Sequence, residues 1–179
     1  MRPHLLITAL AFVTITCSTH AFAEPTTVFV VRHAERAAEP VDDPALSPEG
    51  KLRAVALADA FAGAKVSAII TTNYRRTKET AEPLAKKLGL QTIEIGVRKN
   101  EAAAHVPEVV AAIKKLSGAV LVVGHSNTVG QIITALTGEP MLPLCETSFS
   151  HVFVVNPIAK SVAKLRVGGL DSITTLGCQ

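Results

Sequence analysis

Two uninterrupted apolar runs, residues 28–31 and 119–123, each stop abruptly on a short polar segment that carries a histidine: Arg32-His33-Ala34-Glu35 and Gly124-His125-Ser126-Asn127. Runs of this length, rich in β-branched residues, predict strands buried on both faces, which places them in the middle of a sheet. Strand is therefore expected over 27–31 and 119–123, and also over 66–70, over 90–95 near an edge because of its Gln and Glu, and over 151–155 and 163–167. Between them lie stretches with helical spacing. One opens at Pro48, with Ser47 as N-cap and Glu49 in the first turn, runs on an apolar stripe of Leu52, Val55, Ala56 and Ala60, and closes at Gly63. The others are 76–88, with a stripe of Ala81, Leu84, Ala85 and Leu88 ending at Gly89; 105–116, with Pro107 in its first turn and Gly118 beyond its end; and 126–136. Strands alternating with helices predict a three-layer α/β/α sandwich around a mostly parallel sheet. In such sheets ligands bind beyond the strand carboxyl ends, where both histidines fall.

The first 23 residues stand apart from this pattern. Arg2 supplies a positive start, the apolar run 5–15 has only 11 residues, and Ala21-Phe22-Ala23 offers small residues at a cleavage site. Eleven apolar residues are too few to span a bilayer, so the segment is expected to be a secretory signal peptide. The expected mature domain is 24–179, periplasmic or secreted and not inserted in the membrane after cleavage. Its 156 residues suffice for one domain with its own core, and neither a dividing linker nor an internal repeat is evident. The mature charge is +2, with one Tyr and no Trp, which argues against a nucleic-acid partner. Cys145 and Cys178 remain after cleavage and are available for one bridge in an oxidising compartment.

The polar segments at the strand ends hold the candidate chemistry. Arg32 follows four apolar residues and needs an anionic partner if it is buried. That partner is either a bound oxyanion, whose geometry its planar fork matches, or a nearby carboxylate such as Glu35. A second basic segment, Thr72-Asn73-Tyr74-Arg75-Arg76-Thr77, again follows a strand and opens a helix. Adjacent helical residues point about 100° apart, so only one of Arg75 and Arg76 is expected to face a pocket. Gly124 permits close backbone approach beside His125, and Ser126 or Asn127 is placed to cap the next helix. Two imidazoles, two guanidiniums and helix N-termini are the ingredients for binding a phosphoryl group and attacking it with nitrogen. A metal site competes for the paired histidines, but the flanking arginines disfavour a cation, and His105 and His151 lack ligand spacing and are assigned surface or structural roles. No metal or cofactor is expected. Motifs of serine hydrolases, P-loops, dinucleotide folds and zincins are absent.

Taken in order, these residues resemble the histidine phosphatase superfamily, also called phosphoglycerate mutase-like. The resemblance rests on Arg32-His33-Ala34-Glu35, the helix entry Ala45-Leu46-Ser47-Pro48-Glu49-Gly50, the run from Thr72 to Ala81 through Arg76, Thr77 and Thr80, and Gly124-His125-Ser126. It extends from residue 27 to about 168. It implies that His33 is the nucleophile that becomes phosphohistidine, that Arg32 and Arg76 hold the phosphoryl oxygens, and that His125 is the second pocket histidine. The implied function is a metal-independent phosphomonoester phosphatase acting on a small phosphorylated substrate. The alternatives are a phosphohistidine or cell-envelope phosphosugar phosphatase, and a non-catalytic phosphate-binding envelope module. Many members carry a general acid after the third strand; this chain offers Glu101 there, with Glu94 assigned to the strand. The oligomeric state is not legible.

Overall fold

In a computed structural model, which describes residues 24–97 and 102–169, the chain folds around one six-stranded sheet. The elements are β1 (Thr27–Arg32), α1 (Pro48–Ala60), β2 (Val66–Thr71), α2 (Arg75–Leu88), β3 (Thr92–Glu94), α3 (Ala102–Ile113), β4 (Ala119–Gly124), α4 (Ser126–Thr137), β5 (His151–Asn156) and β6 (Ser161–Arg166). Strand order is β3-β2-β4-β1-β5-β6. The first four are mutually parallel, while β5 and β6 close one edge antiparallel. The two histidine-bearing strands are thus adjacent and central. The expected signal peptide and Cys178 lie outside the described residues.

Strand alternation explains why β1 and β4 read as continuous apolar runs. Val28, Val30, Val120 and Val122 point to one face, where they pack with Val106, Val109 and Ile113 of α3 and Val129, Ile132, Ile133 and Leu136 of α4. Val31, Leu121 and Val123 point to the other, against Leu57 and Ala58 of α1, Phe61 just beyond it, and Ala81, Leu84 and Ala85 of α2. A strand covered on both faces needs apolar residues at every position. Each of these side chains is at most 8 % exposed, and burial of a Val or Leu contributes about 1.5–3 kcal/mol relative to exposure.

The helix α1 buries a different face from the one expected. Leu52 and Val55 are 73 % and 50 % exposed, while Gly50, Ala54, Leu57 and Ala58 are buried. Both stripes have helical spacing, so spacing alone does not choose between them. The choice is made by Phe61, whose ring packs on Phe29 of β1 at 4.6 Å, and by Gly50, where a Cβ would stand 2.1 Å from the Glu35 carbonyl. A helix that presses its backbone against the loop after β1 requires a glycine there. The helix also ends at Phe61 rather than at Gly63. Elsewhere, α2 begins one residue early, Pro107 lies inside α3, and β6 spans Ser161–Arg166 rather than 163–167. The short β3 does lie at the sheet edge.

Candidate active site

Register brings the two strand ends together. Arg32 pairs with Gly124, and the His33 amide donates to the Gly124 carbonyl at 2.9 Å. The imidazoles of His33 and His125 therefore meet edge to face, with ring centroids 5.3 Å apart, although 92 residues separate them in sequence. Both are buried, and both line an open cavity of about 850 Å³ beyond the carboxyl end of the parallel strands.

The tautomer of His33 follows from its partner. Its Nδ1 lies 2.7 Å from the Ala34 carbonyl, which only accepts, so Nδ1 carries the proton and Nε2 carries the lone pair. Ala34 is in turn fixed by α2: its amide donates to Thr80 Oγ1 at 2.9 Å, and that hydroxyl donates to the Arg76 carbonyl at 2.6 Å. The loop that carries His33 and the helix that carries Arg76 are thereby built as one unit. For His125, Nε2 meets Thr72 Oγ1 at 3.1 Å, and Arg76 Nη2 approaches Nδ1 at 3.4 Å. A guanidinium only donates, so His125 holds its proton on Nε2 and donates it to Thr72. Burial, which outweighs the Ala34 hydrogen bond that favours the cation, and the charges of Arg32 and Arg76, with repulsion from His125 whenever that ring is protonated, push the His33 pKa down to about 3. Burial followed by the charge of Arg76 does the same to His125, also to about 3. Both rings are neutral at physiological pH, which is the form a nitrogen nucleophile requires.

The two arginines are held in different ways. Arg32 is 4 % exposed; its guanidinium donates to the Cys145 carbonyl at 2.7 Å and to Glu146 at 2.5 Å, and lies 4.3 Å from the centre of the Phe149 ring. Arg76 stacks over Tyr74 at 4.2 Å and lines the cavity. Its neighbour Arg75 points away and pairs with Glu79 on the surface at 3.1 Å. The alternative pairing of Arg32 with Glu35 does not form: Glu35 takes a forked ion pair from Arg53 at 2.6–2.9 Å. Glu94 is likewise accounted for by Lys78 at 3.2 Å. Glu101 lies outside the described residues. His105 and His151, expected in surface or structural roles, are both buried. No group of three or more His, Cys, Asp or Glu among the described residues is arranged to hold a metal ion, and no described helix is long and apolar enough to cross a membrane.

The segment between α4 and β5 contributes what sequence spacing did not reveal. It runs back over the site because Gly130 of α4 lets it approach: a Cβ there would lie 2.7 Å from the Leu142 carbonyl and 2.9 Å from that of Met141. Leu144 donates to the Ser126 carbonyl at 2.8 Å and is buried against the core, and Cys145 is disulfide-bonded. This places Glu146 on the cavity wall, where Ser126 Oγ donates to its second carboxylate oxygen. Arg36 lines the cavity as well and adds positive charge beside Arg32 and Arg76. Strand direction was the available signal for Glu146. An antiparallel neighbour of β1 begins beside the end of β1, so the residues leading into β5 must pass the site.

Comparison with known proteins bears on the fold and on the sequence pattern of its first half. Residues 28–99 match the family model "Histidine phosphatase superfamily (branch 1)". Among solved structures, SixA from Agrobacterium tumefaciens is 24 % identical with a TM-score of 0.59, covering 75 % of this chain and 93 % of its own. The protein histidine phosphatase SixA complexed with tungstate is 18 % identical, with a TM-score of 0.58 and coverage of 79 % and 95 %. The mycobacterial glucosyl-3-phosphoglycerate phosphatase with inorganic phosphate is 16 % identical, with a TM-score of 0.55 and coverage of 81 % and 95 %. No curated protein matches the chain. Residues 28–99 thus match the sequence pattern of the histidine phosphatase superfamily, and the described residues have a phosphoglycerate mutase-like fold.

Proposed function

We propose that this protein is a phosphomonoester phosphatase that works through a phosphohistidine intermediate on His33 and acts outside the cytoplasm. The observation that carries the proposal is the tautomer of His33: its Nδ1–H is spent on the Ala34 carbonyl, which leaves a neutral Nε2 beside two guanidiniums at an open cavity. In the first step Nε2 attacks phosphorus as the bond to the leaving oxygen breaks. Water then attacks the phosphohistidine and returns the electron pair to Nε2. Arg32 and Arg76 stabilise charge on the phosphoryl oxygens, and His125, protonated once an anion is bound, adds a third donor. Positioning and electrostatic stabilisation of this kind supply most of the rate enhancement in phosphoryl transfer.

A second substrate class, phosphohistidine on proteins, is favoured by the similarity to structures bearing that activity in their names and by the open cavity, which admits a side chain presented by another protein. Brief exposure to labelled phosphomonoester and to labelled phosphoramidate separates the two. The label is expected on His33, lost in acid and kept in alkali, and His33→Ala removes both labelling and turnover. Phosphate binding without turnover on either substrate class would instead make the protein a binding module. For export, the full-length chain produced in a bacterial host is expected in the periplasmic fraction with Glu24 as its N-terminus, checked by intact mass.

A further inference from the structure

Glu146 occupies the guanidinium that the proposed function assigns to a phosphoryl oxygen. Its carboxylate bridges the guanidinium of buried Arg32, at 2.5 Å, and the hydroxyl of Ser126 at the first position of α4, while its own side chain is 76 % exposed on the cavity wall. An exposed carboxylate is free to move; a buried arginine with Phe149 across its face is not. When a phosphoryl group arrives, its oxygens compete for Arg32, and the mobile partner is the one that leaves. Among the described residues Asp42 is the other carboxylate lining the cavity, and among the described contacts it has no hydrogen bond to the phosphoryl-binding groups.

We propose that Glu146 is the proton donor to the leaving group, held out of action by its pairing with Arg32 and released beside the substrate by the phosphoryl group that displaces it. The inference rests on the phosphomonoesterase reading above. Burial raises the pKa of Glu146, but the Ser126 hydrogen bond and the charge of Arg32 outweigh it, so the carboxylate paired with Arg32 is ionised. Displacement removes the contact with Arg32 and sets a phosphoryl dianion beside the carboxylate. Both changes favour the protonated acid, because a nearby like charge disfavours ionisation. In the transfer step the His33 Nε2–P bond forms, the P–O bond breaks, and its electron pair goes to the leaving oxygen, which takes the proton of Glu146. In the second step the carboxylate accepts a proton from the attacking water as the P–N bond breaks. The acid is then regenerated and the charges balance.

The test compares leaving groups. Glu146→Gln is assayed with an alkyl phosphate, whose alkoxide needs a proton, and with p-nitrophenyl phosphate, whose phenolate does not. The loss in kcat/KM on the alkyl substrate is expected to exceed that on the aryl substrate by about 10²-fold, the lower end for general acid catalysis. Asp42→Asn is expected to change both substrates equally. The ratio is taken within one preparation, so partial misfolding cancels. In the wild-type enzyme kcat for the alkyl phosphate should fall on the alkaline side, where bound-state Glu146 ionises, at a pH where the aryl rate is still level. A ratio near one, or matching alkaline limbs, overturns the acid assignment while leaving the phosphatase in place. Failure of wild type to turn over even the aryl phosphate overturns the phosphatase reading itself.

Discussion

Arg76 lines the cavity, whereas Arg32 lies behind its wall and meets it through Glu146, and the two are built differently. Arg32 belongs to a central strand, is almost fully buried, and is already engaged by the Cys145 carbonyl and Glu146. Arg76 belongs to the first turn of α2, is half-buried, and rests on Tyr74 with its charge directed at His125. Burial lowers the pKa of both guanidiniums, which nonetheless remain charged. The strand arginine is a rigid donor that has to be uncovered, whereas the helix arginine is already exposed to ligand. A clamp with one covered arm binds anions less tightly than two free arms would, and it links substrate entry to the movement of a carboxylate.

The largest effect should come from removing the covered arm. Arg32→Ala is expected to lower kcat/KM for a phosphomonoester by about 10³-fold and Arg76→Ala by nearer 10²-fold, because a donor in a drier site stabilises developing charge more. Steady-state kinetics on both variants check this, and equal losses would remove the distinction drawn from burial.

The two arms should also separate the histidines. Arg32 figures before Arg76 in depressing His33, while Arg76 is the first charge acting on His125. In the phosphate-free protein both rings are expected to titrate near pH 3 by NMR. Arg32→Ala should raise the His33 midpoint more than that of His125, and Arg76→Ala should do the reverse. The same depression bears on stability. The unfolded chain binds protons at these rings near pH 6.5 and the folded chain only near 3, so stability present above pH 6.5 is lost as pH falls through this window. Urea midpoints measured from pH 7 down to 4 should fall steadily, and saturating phosphate should flatten the slope.

Arg75 gives the smallest effect and the control for both arms. Its exposed pair with Glu79 on α2 contributes about 0.5 kcal/mol or less. Arg75→Ala should leave kcat/KM within about twofold, since no contact to a stabilised charge is removed. A loss comparable to that of Arg76→Ala would mean that the other member of the pair faces the substrate.

Much of this was legible in the chain. Val28–Val31 and Val120–Val123 demanded two covered faces, so central parallel strands followed, and with them a three-layer sandwich whose strand ends carry His33 and His125. Their order, with Arg32 before one and Gly124 before the other, pointed to a phosphoryl pocket. What the chain left ambiguous were choices between equally spaced alternatives. Leu52 and Val55 formed as good a stripe as Ala54, Leu57 and Ala58, and the contact of Phe61 with Phe29 decided between them. Glu35 was as near to Arg32 in sequence as any carboxylate, yet it serves Arg53, and Glu146 comes from 114 residues away.

The sequence by itself determined the periodicity of the strands and helices and the chemical character of the strand ends, because both depend on neighbours a few residues apart. Only the tertiary structure decided which carboxylate meets which arginine and which tautomer each imidazole adopts. Those depend on sheet order, on β5 running antiparallel to β1, and on the loop that Gly130 allows against α4. Hydrogen bonds and ion pairs act over a few ångströms in space, and separation along the chain carries no record of that distance.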